Sequence, residues 1–372
     1  MGSCKPLKLE IIKNDNRLLS KRVEKLQRFT IVDGHEDIAF NALSLRRNFL
    51  DKISNIRTKN AFKSEGIPTV SFPELKKGNV RIVFATIWVA PCQKSPVPRG
   101  LCYSASDEAH ALAMAQMDYY RSIESQGYVN IIRTKAELKE HLSCKTKVGL
   151  VILMEGADPI LAPKEAKEWF RAGVRIIGPA WQRTKYSGGT GAPGPLTKEG
   201  KELMAEMETA GMILDMSHMA DESFFDALDL FHGNVIASHS NCRKYVPTDR
   251  QLTDEMIKAL VSKNGVIGTV LFNKFLDPDW KRKGKAKKEV TFSAVIKHMK
   301  NVCDLSGDTL HSAIGSDLDG GFGAESVPRG IDTVADLQKL GDALGNEGFS
   351  VIEVSNIMAD NWIRLLKRAL PE

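Results

Sequence analysis

Eight short apolar runs recur along this 372-residue chain, with helix-patterned segments between them. They are Phe29–Asp37 (apolar and β-branched as far as Val32, polar from Asp33), Val80–Trp88, Val148–Glu155, Val174–Trp181, Met212–His218, Val235–His239, Val266–Phe272 and Ala313–Asp317. Continuous rather than alternating hydrophobicity marks strands covered on both faces, and alternation with helices marks a parallel sheet with crossovers. Eight such strands predict a single α/β domain, a (β/α)8 TIM barrel of the metal-dependent hydrolase type, and the length suits one with insertions. A doubly wound open sheet is the competitor, but it gathers its chemistry at one switch point. Here reactive side chains close several different strands. No Gly-x-Gly-x-x-Gly follows a strand, and no phosphate-loop pattern occurs. Residues 1–28 are expected to be a polar lead-in with a short helix near Leu18–Gln27, and residues 29–372 the catalytic barrel with its C-terminal helices. Ala39–Asn60 reads as helix, whereas Pro91–Leu101 and Ser187–Pro195 read as loops rich in Pro or Gly.

Bulk composition narrows the partners. Hydrophobic residues make up 42% of the chain, enough for a sizeable core, yet no run approaches the roughly 20 apolar residues of a membrane span. The first residues lead into Lys, Glu, Asn and Asp, so no secretory signal is expected. The six cysteines are scattered without a Cys-x-x-Cys pair, which predicts a reduced inventory and a cytoplasmic protein; Cys92 and Cys102 would pair only in an exported one. The net charge of +6 equals the six positive charges of residues 281–288. Without interleaved aromatics that run reads as a solvated loop, and no nucleic-acid partner is expected.

Three of the eight histidines, His35, His218 and His239, fall at the ends of predicted strands. Two carboxylates, Glu155 and Asp317, hold equivalent positions. His35 and Asp37 form a His-x-Asp whose side chains project to one face of an extended chain. Carboxylates at the top of a packed barrel are costly to bury unpaired. Imidazole and carboxylate ligands suit Zn²⁺ and its neighbours, so the set predicts a binuclear metal site at the C-terminal mouth of the barrel.

The segments Asp33-Gly34-His35-Glu36-Asp37, Met154-Glu155-Gly156, Asp215-Met216-Ser217-His218, Ser238-His239-Ser240-Asn241, Gly315-Ser316-Asp317-Leu318-Asp319-Gly320 and Ala359-Asp360-Asn361-Trp362 together resemble the motif series of the membrane (renal-type) dipeptidases. These are zinc peptidases of the amidohydrolase superfamily, and this chain looks like a bacterial-type member. The resemblance implies that His35 and Asp37 hold one Zn²⁺ and His218 and His239 the other, with Glu155 bridging; Mn²⁺, Co²⁺ or Fe²⁺ are the substitutes. It implies a hydroxide shared by the metals as nucleophile and Asp317, rather than Asp319, as the base. It places Arg250 on the substrate's terminal carboxylate, with Arg243 in reserve. Arginine's planar fork matches two carboxylate oxygens. A dipeptide substrate, tolerance of a D-residue at its C-terminal position and a homodimer also follow from the resemblance alone.

The chain departs from the family pattern in two places. Trp181 stands where mammalian-type members carry a histidine at the fourth strand, and Phe272 stands where some relatives have a tyrosine. Trp181, Tyr186 and Phe272 are therefore expected to line the substrate pocket. An amidase acting on N-acyl amino acids or other small amides is the rival hydrolase, and a non-catalytic small-molecule-binding barrel the rival of another class.

Overall fold

Parallel strands arrange themselves here in a ring. The computed structural model describes residues 28–61, 63–94, 101–144, 146–280 and 287–372. The helix expected at Leu18–Gln27 and most of the basic run 281–288 lie outside these residues. The strands are β1 (Ile31–Glu36), β2 (Val80–Trp88), β3 (Val129–Ile131), β4 (Val148–Glu155), β5 (Val174–Gly178), β6 (Ser187–Gly189), β7 (Ala192–Leu196), β8 (Ile213–Asp215), β9 (Val235–Ala237), β10 (Val266–Thr269) and β11 (Ser312–Ile314). The order β2-β1-β11-β10-β9-β8-β5-β4 closes through a β2–β4 pairing, in register from Ile82↔Gly149 to Trp88↔Glu155. The result is an eight-stranded (β/α)8 barrel ringed by helices.

Alternate residues of the ring fill its interior: Val32, Ile82, Phe84, Val151, Leu153, Ile176, Ile213 and Ile236 form one buried cluster. The same phase carries Glu155 toward the axis, two residues beyond Leu153. The end where strands begin is closed by the C-terminal helix Asn361–Ala369. Its Trp362 is fully buried, meets Phe84 edge-on at 4.9 Å, and donates its indole N–H to the Ile314 carbonyl at 2.8 Å. Asn361 donates to the Thr309 and Ser312 carbonyls at 2.6 and 2.7 Å. The late Ala-Asp-Asn-Trp segment is thus a plug for the barrel and stands apart from the site.

Higher up the axis a main-chain group replaces side chains. A Cβ built on Gly268 or Gly315 would lie 2.0 or 1.9 Å from the Ser238 carbonyl oxygen, so only glycine leaves room for it.

Four features differ from expectation. The Ala39–Asn60 helix is two helices, Ile38–Leu43 and Ile53–Lys59, because Arg47 between them turns inward. Its guanidinium donates to Asn41 Oδ1 at 2.8 Å and to the Gly66 carbonyl at 2.9 Å. The segment Ser187–Pro195 is no loop: β6 and β7 form an antiparallel hairpin. Pro193 and Pro195 sit two apart on β7, where their missing N–H groups need no ladder partner, and so disguised the strand. Strand β3 pairs with the first residues of β4, an edge that β5 does not reach until Ile152. Finally, Cys92 and Cys102 are joined in a disulfide. Loop closure brings their Cα atoms to 4.9 Å, a distance that scattered spacing does not reveal. Among the described residues only Cys144, Cys242 and Cys303 are free thiols, so the cysteine pattern no longer favours a reducing compartment.

Candidate metal centre

Six side chains from five strand ends meet at the barrel mouth. Glu155 closes β4 and divides its oxygens between two groups. Oε2 lies 3.5 Å from His35 Nε2; Oε1 lies 3.1 Å from His218 Nε2 and 3.3 Å from His239 Nε2. On the first side, His35 Nε2 is 3.8 Å from Asp37 Oδ1 and 4.0 Å from Asp317 Oδ1. On the second, the Nε2 atoms of His218 and His239 face each other at 3.0 Å. The His35 and His239 rings stack with centroids 3.7 Å apart.

Simple strand alternation does not produce this convergence. The β1–β2 register shifts between Asp33 and Glu36, and Asp37 has already left the strand at φ −82°, ψ 48°. His218 and Asp317 adopt positive φ, 65° and 59°, uncommon for residues other than glycine. Backbone irregularity just past the strands is what aims these groups inward, and such strain gathers at functional sites.

The donor set has the unmet needs of a metal site. His35 Nε2 is buried with no hydrogen-bond partner, although three carboxylates surround it. Ligand atoms of His35, Glu155 and His239 lie within 4.8 Å of one another, as do those of His35, Asp37 and Asp317. Charge points the same way. Burial opposes protonation of His35, yet Glu155, Asp37 and Asp317 outweigh it and lift the imidazole to about 10. Burial raises Asp317 well above the usual carboxylate range and Asp37 to about 6. Burial, then the Arg250 charge, lowers His218 to about 4. The cluster is short of positive charge, which divalent cations would supply.

Above it opens a cavity of about 550 Å³. One wall is Phe40, Trp88 and Trp181 in successive edge-to-face contacts at 4.6 and 5.1 Å. The other is Phe272, stacked on Phe322 at 4.3 Å and edge-on to Phe275 at 5.0 Å. Arg250 lies between, buried, donating to Ser240 Oγ at 3.2 Å and the His239 carbonyl at 2.6 Å. Its Nε has no partner.

Not every residue singled out in the sequence reaches this space. Tyr186 is fully buried and donates its hydroxyl to the Ile160 carbonyl at 2.6 Å; it packs beneath the hairpin and lines no part of the mouth. Arg243 is held in a bidentate pair with Asp221 at 2.6 and 2.7 Å. Asp319 accepts from the Thr69 N–H and hydroxyl, both at 2.7 Å, and from the Val70 N–H at 3.0 Å, so it ties down a loop. Sequence reasoning missed Phe40, Trp88, Phe275 and Phe322, which are scattered over four segments with no shared spacing. It also missed the groups behind the histidines: Thr190 Oγ1 lies 3.0 Å from His218 Nδ1, and Ser238 Oγ 2.7 Å from His239 Nδ1.

The sequence profile of the membrane dipeptidase family (peptidase family M19) matches residues 20–370. The chain belongs to the membrane dipeptidase family. Membership makes it a metal-dependent peptidase with a small peptide substrate. Among curated members, "Dipeptidase verJ" of Clonostachys rogersoniana is 26% identical over 356 residues, covering 94% of this chain and 86% of that protein. An uncharacterized protein of Klebsiella pneumoniae, from the pqqA 5′ region, is 30% identical over 65% of this chain and 90% of its own. The crystal structure of a Rhodobacter sphaeroides metallo peptidase, liganded with a phosphinate mimic of the dipeptide L-Ala-D-Ala, superposes with a TM-score of 0.77 at 26% identity. The match covers 92% of this chain and all of that one.

Proposed function

We propose that this membrane dipeptidase family member is a two-zinc dipeptidase cleaving dipeptides with a free C-terminal carboxylate. The observation that carries the proposal is the split of Glu155, one oxygen toward His35 and the other toward His218 and His239. His35 and Asp37 would hold one ion and His218 and His239 the other, with Glu155 between them. When bound, such cations would supply Lewis acidity, polarising a carbonyl and making water a stronger acid near neutral pH.

The protein's own groups supply the rest. Asp317 faces the cluster from the cavity floor and takes the proton released in the attack, then returns it to the leaving amine. Arg250, with an unpartnered Nε, receives the substrate carboxylate and so measures chain length. Trp181 carries one indole donor and no titratable proton, so it walls the pocket and leaves acid chemistry to Asp317. The two aromatic walls favour apolar side chains at both substrate positions. Tolerance of a D-residue at the C-terminal position is supported by the L-Ala-D-Ala mimic in the Rhodobacter sphaeroides relative.

A panel of L,L and L,D dipeptides, set beside N-acyl amino acids and C-terminally amidated dipeptides, tests the reading. Free dipeptides should turn over and their amides fall by about 10–100-fold in kcat/KM, the worth of one charged clamp. Faster turnover of N-acyl amino acids than of any dipeptide would replace this reading by an amidase.

A further inference from the structure

We propose that Ser238 is a positioning residue for both halves of the metal centre at once, fixing the tautomer of His35 and of His239 under the direction of Asp215. The inference rests on the reading that these two histidines ligate separate ions.

Hydrogen-bond accounting carries it. Asp215 Oδ1 receives the backbone N–H of Ser217 at 3.0 Å and of Ser238 at 2.8 Å. Its Oδ2 lies in hydrogen-bond contact with the Ser238 hydroxyl. A carboxylate only accepts, so the single hydroxyl proton belongs on that line. Ser238 Oγ then offers only lone pairs to its other neighbours. Those are Nδ1 of His239 at 2.7 Å, Nδ1 of His35 at 3.4 Å and the Ser217 hydroxyl at 3.4 Å, which can donate as its own hydrogen allows. Both Nδ1 atoms must carry hydrogen, which leaves both Nε2 lone pairs aimed at the Glu155 side. The stacked imidazoles hang between one hydroxyl and one carboxylate.

Position reinforces chemistry. Ser238, Asp215, His35 and His239 are all buried, and no water-facing alternative competes for their bonds. Gly268 and Gly315 leave room for the Ser238 carbonyl, and from that seat its side chain reaches the histidines of two strands together. His218 is served separately, by Thr190 on the β6–β7 hairpin.

The test is zinc affinity of the full-length protein, stripped and reloaded, by competition with a calibrated chelator. Ser238→Ala should weaken both zinc equivalents by about 10–100-fold, the usual effect of removing a partner behind a ligating histidine. Asp215→Asn is the isosteric companion. The two N–H donors keep the amide oxygen in place, so its NH2 meets Ser238 Oγ and turns the hydroxyl proton toward His239. Both equivalents should weaken again, with metal-free secondary structure unchanged by circular dichroism. Thr190→Val should weaken one equivalent only. Wild-type affinity for both equivalents in either Ser238→Ala or Asp215→Asn, or loss of one equivalent alone, overturns the proposal. A wild-type protein that never binds two equivalents overturns the two-metal reading beneath it, a distinct result.

Discussion

Asp317 shows how position decides the part a carboxylate plays. It and Asp319 are two residues apart, both at positive φ and both buried. Asp319 spends its oxygens on Thr69 and Val70, while Asp317 faces His35 across 4.0 Å and opens to the cavity. In the proposed reaction Asp317 is therefore the one that takes a proton from the reacting water. Asp317→Asn should therefore keep its metal content and lose about 10²–10⁴-fold in kcat, as removal of a general base does. Metal analysis and single-substrate kinetics on the same preparation check this, and retained turnover would move the base elsewhere. The strand-end residues were legible because each polar group follows an apolar run. Ser238 and Asp215 belong to the same motifs, but nothing in a Ser-His-Ser triplet says which atoms meet. Tyr186, expected to line the pocket, is instead fully buried with its hydroxyl on the Ile160 carbonyl, just before a hairpin that the sequence did not reveal.

At the scale of elements, all eight barrel strands were readable from continuous hydrophobicity. What escaped were short or disguised pieces: three residues of β3, and a hairpin carrying prolines on its edge. Those pieces bear on the site, since the hairpin brings Thr190 to His218. Strands β10 and β11 contribute through an absence of side chain. At Gly268 an added methyl would meet the Ser238 carbonyl at 2.0 Å, backbone against backbone, with no flexible atom to yield. Gly268→Ala should destabilise by about 1–3 kcal/mol, the cost of overpacking, and weaken metal binding with it. Urea unfolding and chelator competition read the two effects; a fully stable variant with native metal affinity would mean that the axis has more room than the glycines suggest.

The whole molecule adds a pH dependence remote from the candidate metal centre. His298, on the helix Phe292–Ser306, is buried and accepts the Cys242 N–H at its Nδ1 at 3.0 Å. Burial lowers it to about 4 from an ordinary 6.5. Below the ordinary value the unfolded chain binds a proton that the folded one refuses, so stability present at neutral pH is lost as pH falls from about 6.5 toward 4. At pH 5 this amounts to about 2 kcal/mol relative to neutral pH. His298→Gln should flatten the loss, measured as the difference in urea midpoints between the two proteins at pH 7.5 and pH 5. Parallel curves would contradict the assignment.

The proposed two-ion centre organised on Glu155 is tested most directly by anomalous scattering at the zinc edge from crystals of the zinc-loaded protein. Two peaks should appear at the mouth of the barrel, one beside His35 and Asp37 and one beside His218 and His239, each in contact with a different oxygen of Glu155. A single peak, or two peaks with Glu155 touching neither or only one, would contradict it.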